Sequence, residues 1–108
     1  QVRQVVEVMD QGQIGRRFLA EATRALQAEA GAIYLWEDGR KRLLCALGAW
    51  REGQGERTPL KVEGREVGEL WIKPRLEGRQ STGKERDALD KCAASVARAL
   101  ALASGRGR

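Results

Sequence analysis

Between Leu60 and Ile72 the chain reads L-K-V-E-G-R-E-V-G-E-L-W-I, and no other stretch limits the fold so tightly. Val62 and Val67 flank Glu63-Gly64-Arg65-Glu66, where Gly64 can supply the positive φ of a tight hairpin turn. Gly68 interrupts the second strand, and a glycine there marks a bulge or a close approach of two backbones. Simple alternation puts Leu70 and Ile72 on one side and Val67, Glu69 and Trp71 on the other.

A second hairpin is expected upstream. Ala32-Ile33-Tyr34-Leu35-Trp36 is rich in β-formers, Asp38-Gly39 is a two-residue turn signal, and Leu43–Trp50 makes the return strand. Alternation places Leu43, Cys45 and Leu47 on one face of that strand and Leu44, Ala46 and Gly48 on the other. Arg51–Thr58 is a polar surface loop, and Pro59 is expected to open the third strand.

Helices bracket the hairpins. Val2, Val5, Val6 and Met9 recur at helical spacing. Asp10 is expected to cap a second helix, with Gln13 in capping-box position; its apolar stripe runs from Ile14 through Phe18, Leu19, Ala22 and Leu26 to Ala30, and Gly31 stops it. Thr82 and Glu85 form the capping box of a last helix carrying Leu89, Cys92, Ala93, Val96, Leu100 and Ala103. The fold class is therefore α+β, an antiparallel sheet of about four to five strands with the terminal helices packed on one face. Residues 1–104 form one domain, with 1–10 as a leading signalling helix and 105–108 as a flexible Gly-Arg tail.

Composition removes several functions. The 108 residues contain no histidine, hence no Ser-His dyad, no phospho-accepting histidine and no imidazole metal ligand. Cys45 and Cys92 lie in apolar patterns without C-x-x-C spacing, which fits buried, reduced thiols better than a redox sensor. Glu37 and Asp38 sit at a turn and are turn formers rather than an acid–base pair. G-R-E-V-G lacks the lysine and following helix of a phosphate loop. No catalytic residue, cofactor or metal is expected. The net charge is +5, but basic residues alternate with acidic ones, as in Glu85-Arg86-Asp87, so no specific nucleic-acid site is expected. No apolar run approaches the roughly 20 residues of a membrane helix. The chain begins at Gln1 with no signal-peptide pattern, as expected of a cytoplasmic piece of a longer, even membrane-anchored, protein.

Three stretches carry a family likeness: Phe18–Arg40, V-G-E-L-W-I from Val67 to Ile72, and the closing helix from Glu85 to Leu100. In this order they resemble the GAF family (a GAF/PAS-like architecture), the small-molecule sensing and dimerisation domains of bacterial signalling proteins. The resemblance implies a sheet whose first strand lies beside its last, and terminal helices that pair across a dimer and relay signals. Larger GAF domains roof the ligand pocket with extra elements where this chain has only Arg51–Thr58. That stretch is too short for a helix with two connections, so the chain resembles the shortened versions in sensor histidine kinases. The cysteine motif for a bilin, the charged motif of cyclic-nucleotide binders and the aromatic residue before the last helix are missing.

Two surfaces are then candidates. Tyr34, Trp36 and Trp71 share parity with Glu69 on the roofless side, either as a shallow ligand or partner face or as a cover for the core edge beneath the folded-over short loop. Val2, Val5, Val6 and Met9, with Val96 and Leu100, form either a homodimer seam or domain core. The expected role is a regulatory sensor and dimerisation module of a signal-transduction protein, a two-component sensor histidine kinase, with an output domain in the same chain. The alternatives are a basic nucleic-acid-binding module or a GAF-like domain of a transcription regulator.

Overall fold

Two tight turns set the sheet. Asp38-Gly39 and Glu63-Gly64 both have positive φ at each position, the backbone that a two-residue hairpin loop demands. In a computed structural model, which describes residues 11–74 and 83–105, these turns join β1 (Ala28–Glu37) to β2 (Arg40–Leu47) and β3 (Glu56–Val62) to β4 (Arg65–Pro74). Helix α1 (Gln11–Ala25) precedes the sheet and α2 (Gly83–Gly105) follows it. The strand order is β2-β1-β4-β3, antiparallel throughout, so the first strand does lie beside the last. The α+β class and the four-stranded count agree with expectation. The Val2–Met9 helix, the Asp10 and Thr82 caps and residues 106–108 lie outside the described residues.

Both helices cover one face. Leu19 and Ala22 of α1, with Leu89, Ala93, Val96, Ala97 and Leu100 of α2, pack on Ile33, Leu35, Leu60, Leu70 and Ile72. The small side chains Ala93 and Ala97 let α2 approach the sheet closely. Val96 and Leu100 are 0% and 2% exposed within the single chain. This corrects their assignment to a dimer seam: both are spent on the domain's own core.

Three further expectations give way. The first helix stops at Ala25, not Ala30. The amide of Leu26 bonds back to the Ala22 carbonyl at 3.0 Å, that of Gln27 to Arg24 at 3.2 Å, and Gln27 turns left-handed at φ 51°. Ala28, Ala30 and Gly31 instead pair with Pro74, Lys73 and Ile72 of β4, and pairing overrides the helix propensity of alanine. Pro59 lies inside β3, not at its start; β3 is a sheet edge, where a missing backbone donor is tolerated.

The third concerns alternation, which, besides a shift at Glu29 in β1, fails in β2 and in β4. Ile33 pairs with Cys45 but Tyr34 with Leu43, so Leu44 is an extra residue in β2. Leu60 pairs with Gly68 but Lys61 with Glu66, so Val67 is an extra residue in β4. Each β-bulge turns its own residue inward and flips everything beyond it. Leu44 and Val67 pack against the core, whereas Leu43, expected beside Cys45, is 48% exposed. Gly68 is the residue that permits this: a Cβ there would stand 2.2 Å from the Tyr34 carbonyl oxygen.

Candidate functional site

The sheet face away from the helices carries a closed network of charges and aromatic rings. Cross-strand partners share a face, so the register assembles it: Trp36 lies opposite Lys41, Tyr34 opposite Glu69, and Arg57 opposite Trp71. The two bulges deliver Lys41 and Glu66 to this face; unbroken alternation would have sent both toward the helices.

Glu69 is the centre. It is 5% exposed and accepts hydrogen bonds from Trp71 Nε1 at 2.9 Å and Arg57 Nε at 2.6 Å. Lys41 Nζ stands 3.5 Å from Oε1, the oxygen that Trp71 also holds, and 3.3 Å from Glu52. Arg57 also holds Glu66 through its terminal guanidinium nitrogen, and Glu66 accepts from Trp36 Nε1 at 3.0 Å. Burial by itself would raise the Glu69 carboxyl. The hydrogen bonds from Trp71 and Arg57, with the charges of Arg57 and Lys41, outweigh it and hold the group below its ordinary value. Burial would lower Lys41, but Glu52 and Glu69 reverse the sign and raise it.

The connection from β2 to β3 contains neither helix nor strand, and it folds over this face. Trp50 donates from Nε1 to the Tyr34 hydroxyl at 3.0 Å, and its ring sits 6.0 Å from that of Trp71 at 51°. Glu52 from the same loop reaches Lys41. Lys41 Nζ lies 4.9 Å from the centre of the Tyr34 ring and 5.9 Å from that of Trp71.

The four residues Tyr34, Trp36, Glu69 and Trp71 therefore share one face. Tyr34 is buried, and Trp36 is 39% exposed. Sequence reasoning missed Lys41, Trp50, Arg57 and Glu66. Arg57 was legible only once β3 was known to begin at Glu56. Lys41 and Glu66 were hidden by the bulges, and Trp50 by its place in a loop.

Elsewhere the chemistry is quiet. Burial pushes the Cys45 thiol up to about 11 despite the opposing charge of Arg16, and burial also raises Cys92, with Glu21 adding to it. Neither is a ready nucleophile. Among the described residues no group of three acidic, cysteine or histidine side chains could hold a metal ion, and no helix is long and apolar enough to cross a membrane. An apolar groove of about 460 Å³ opens at the end of the sheet between Leu35, Val62, Val67 and Leu100.

No protein-family model and no curated protein matches this sequence. Solved structures do match its shape. The GAF-B domain of DevS from Mycobacterium smegmatis superposes with a TM-score of 0.74 at 16% identity, over 92% of this chain and 98% of that one. The fold is GAF-like. A second structure, of the second GAF domain of DevS from Mycobacterium smegmatis, gives 0.74 at 17% identity over 92% and 99% of the two chains. A domain described as that of a two-component sensor histidine kinase protein from Sinorhizobium meliloti 1021 gives 0.69 at 15% identity over 89% and 96%. The expected GAF-like architecture thus stands on an independent footing, and the match extends over about nine-tenths of the chain.

Proposed function

We propose that this domain is the regulatory sensor module of a signal-transduction protein, of the two-component sensor histidine kinase type, and is not itself a catalyst. One observation carries the proposal. The open face is a single hydrogen-bonded and ion-paired network that ties together all four strands and the β2–β3 loop. A stimulus that rearranges any member shifts the strands on which α1 and α2 rest. Such a shift becomes a signal when it favours one arrangement of the helices over another. The likeness to the GAF domains of DevS and to a domain of a two-component sensor histidine kinase protein supports the class of parent protein.

Homodimerisation through the terminal helices belongs to the same proposal. It now rests on Val2, Val5, Val6 and Met9 and on outward residues such as Leu102, which is 67% exposed, rather than on Val96 and Leu100. The nucleic-acid alternative gains no support, because Lys41, Arg42, Arg57 and Lys73 are each engaged by a carboxylate.

The test grafts the chain ahead of a sensor kinase's catalytic core and measures autophosphorylation. Arg57→Ala, which cuts the network, should change the rate at least threefold, whereas Lys61→Ala, outside it, should not. Equal rates for all three proteins would sink the regulatory reading.

A further inference from the structure

We propose that the open face is an aromatic and acidic cage for an organic ammonium ion, and that Lys41 fills it as a tethered stand-in. This deepens the regulatory reading above by naming the class of stimulus. An ammonium group is already in the cage: that of Lys41, between the Tyr34 and Trp71 rings at 4.9 and 5.9 Å and the Glu52 and Glu69 carboxylates at 3.3 and 3.5 Å. Aromatic faces and carboxylates around one cation are the surroundings that recognise an alkylammonium ligand. Trp50 braces both rings through its bond to Tyr34 and its contact with Trp71.

The two cations of the network are not held alike. Arg57 bonds Glu69 at 2.6 Å, a close charge-assisted contact, and also holds Glu66. Lys41 contacts its carboxylates only at 3.3 and 3.5 Å. Like Arg57 it comes from an edge strand, but its flexible stem can carry a strongly hydrated ammonium out to solvent. The charges favour replacement by another cation. Two cations, Lys41 and Arg57, meet three carboxylates, Glu52, Glu66 and Glu69; with Lys41 withdrawn, Arg57 stays with Glu66 and Glu69, and Glu52 loses its lysine. Glu69 and Tyr34, 5% and 6% exposed, would then be opened from the Lys41 side.

A tethered group competes at an effective concentration on the order of millimolar or above. The wild-type chain therefore binds a free ammonium weakly, and removal of the tethered competitor strengthens binding. Departure of Lys41 also removes the Glu52 contact, which with Trp50 ties the loop to the face. Ligand entry thus has a structural consequence.

Tetramethylammonium chloride is the probe, read by the indole N–H signals of the three tryptophans in a two-dimensional NMR spectrum, with sodium chloride at equal concentration as control. In Lys41→Ala the signals of Trp50 and Trp71 should shift saturably, at a half-saturating concentration at least tenfold below the wild type's. Trp36, which bonds Glu66 outside the cage, should move least. Glu69→Gln added to Lys41→Ala should weaken binding again. No saturable shift in Lys41→Ala, equal half-saturation in both proteins, or the same shifts from sodium chloride would each overturn the proposal. Should Lys41→Ala not fold, the wild-type chain decides. Acetylation of Lys41, followed by mass spectrometry, should accelerate in tetramethylammonium relative to sodium chloride, with Lys61 unchanged as reference. An unaltered Lys41 rate refutes the cage. A silent probe alongside a kinase response to Arg57→Ala defeats the cage and leaves the regulatory reading; binding without that response does the reverse.

Discussion

Replacing Glu69 by glutamine tests whether the open face is a structural unit. The carboxylate accepts from Trp71 and Arg57 on different oxygens and faces Lys41, while its side chain is only 7% exposed. A glutamine amide keeps one acceptor oxygen and turns an NH₂ toward one of these donors. A buried donor left without its acceptor costs about 1–3 kcal/mol. The Arg57 contribution is smaller, because its side chain is 36% exposed and keeps Glu66; an ion pair in that setting is worth about 0–1 kcal/mol. The sum is roughly 1–4 kcal/mol, a substantial part of the ~5–15 kcal/mol that holds a domain folded. Urea unfolding followed by tryptophan fluorescence should show this gap at pH 7.

The pH dependence fixes the cause. The folded pKa of Glu69 is lowered, so its contribution is complete above the unfolded value near 4.5 and is lost as the pH falls through the folded value. A protonated Glu69 approximates glutamine, so the gap between the two proteins must narrow below about pH 4.5 and never widen. A gap below about 0.5 kcal/mol at pH 7, or one that grows toward acid, refutes the assignment of Glu69 as the keystone of this face.

Other substitutions probe the rest of the fold. Gly68→Ala drives a Cβ to 2.2 Å from a backbone oxygen, so it should destabilise by more than about 3 kcal/mol in a denaturant melt, or abolish folding. Leu89→Ala, at a residue 1% exposed, should cost about 2–5 kcal/mol by the same assay. Thr58 is buried with an Oγ1 that has no hydrogen-bond partner among the described residues, so Thr58→Val should leave the melting temperature unchanged or raise it. Cys45, with its pKa near 11, should react with a maleimide at pH 7.5 at least tenfold more slowly than the same thiol in urea.

The fold was legible because its signals are local. Asp38-Gly39 and Glu63-Gly64 announce their turns chemically, and the aliphatic set Ile33, Leu35, Leu70 and Ile72 has the parity of a buried face. Where local propensity met a long-range partner, the partner won. Ala28–Gly31 resembles the tail of a helix until β4 is laid beside it, and Val96 and Leu100 resemble a seam until α1 and the sheet are packed over them. No local feature distinguishes an apolar stripe that meets its own domain from one that meets a second copy.

The open face was half legible for a different reason. Tyr34, Trp36, Glu69 and Trp71 follow from parity within unbroken strand segments, and the structure keeps them together. Lys41 and Glu66 do not, because each lies beyond a bulge that resets the parity. Gly68 pointed to an irregularity, and its close approach to the Tyr34 carbonyl shows why the irregularity sits there. Leu44 gave no such sign, since a leucine fits either face. The consequence is functional. A sheet with strict alternation would bury Lys41 and Glu66 against the helices and leave Glu69 facing Arg57 alone. The two extra residues instead set a lysine beside the aromatic rings and give Arg57 its second carboxylate, so the charged character of this face is a product of where the strands break their own rule.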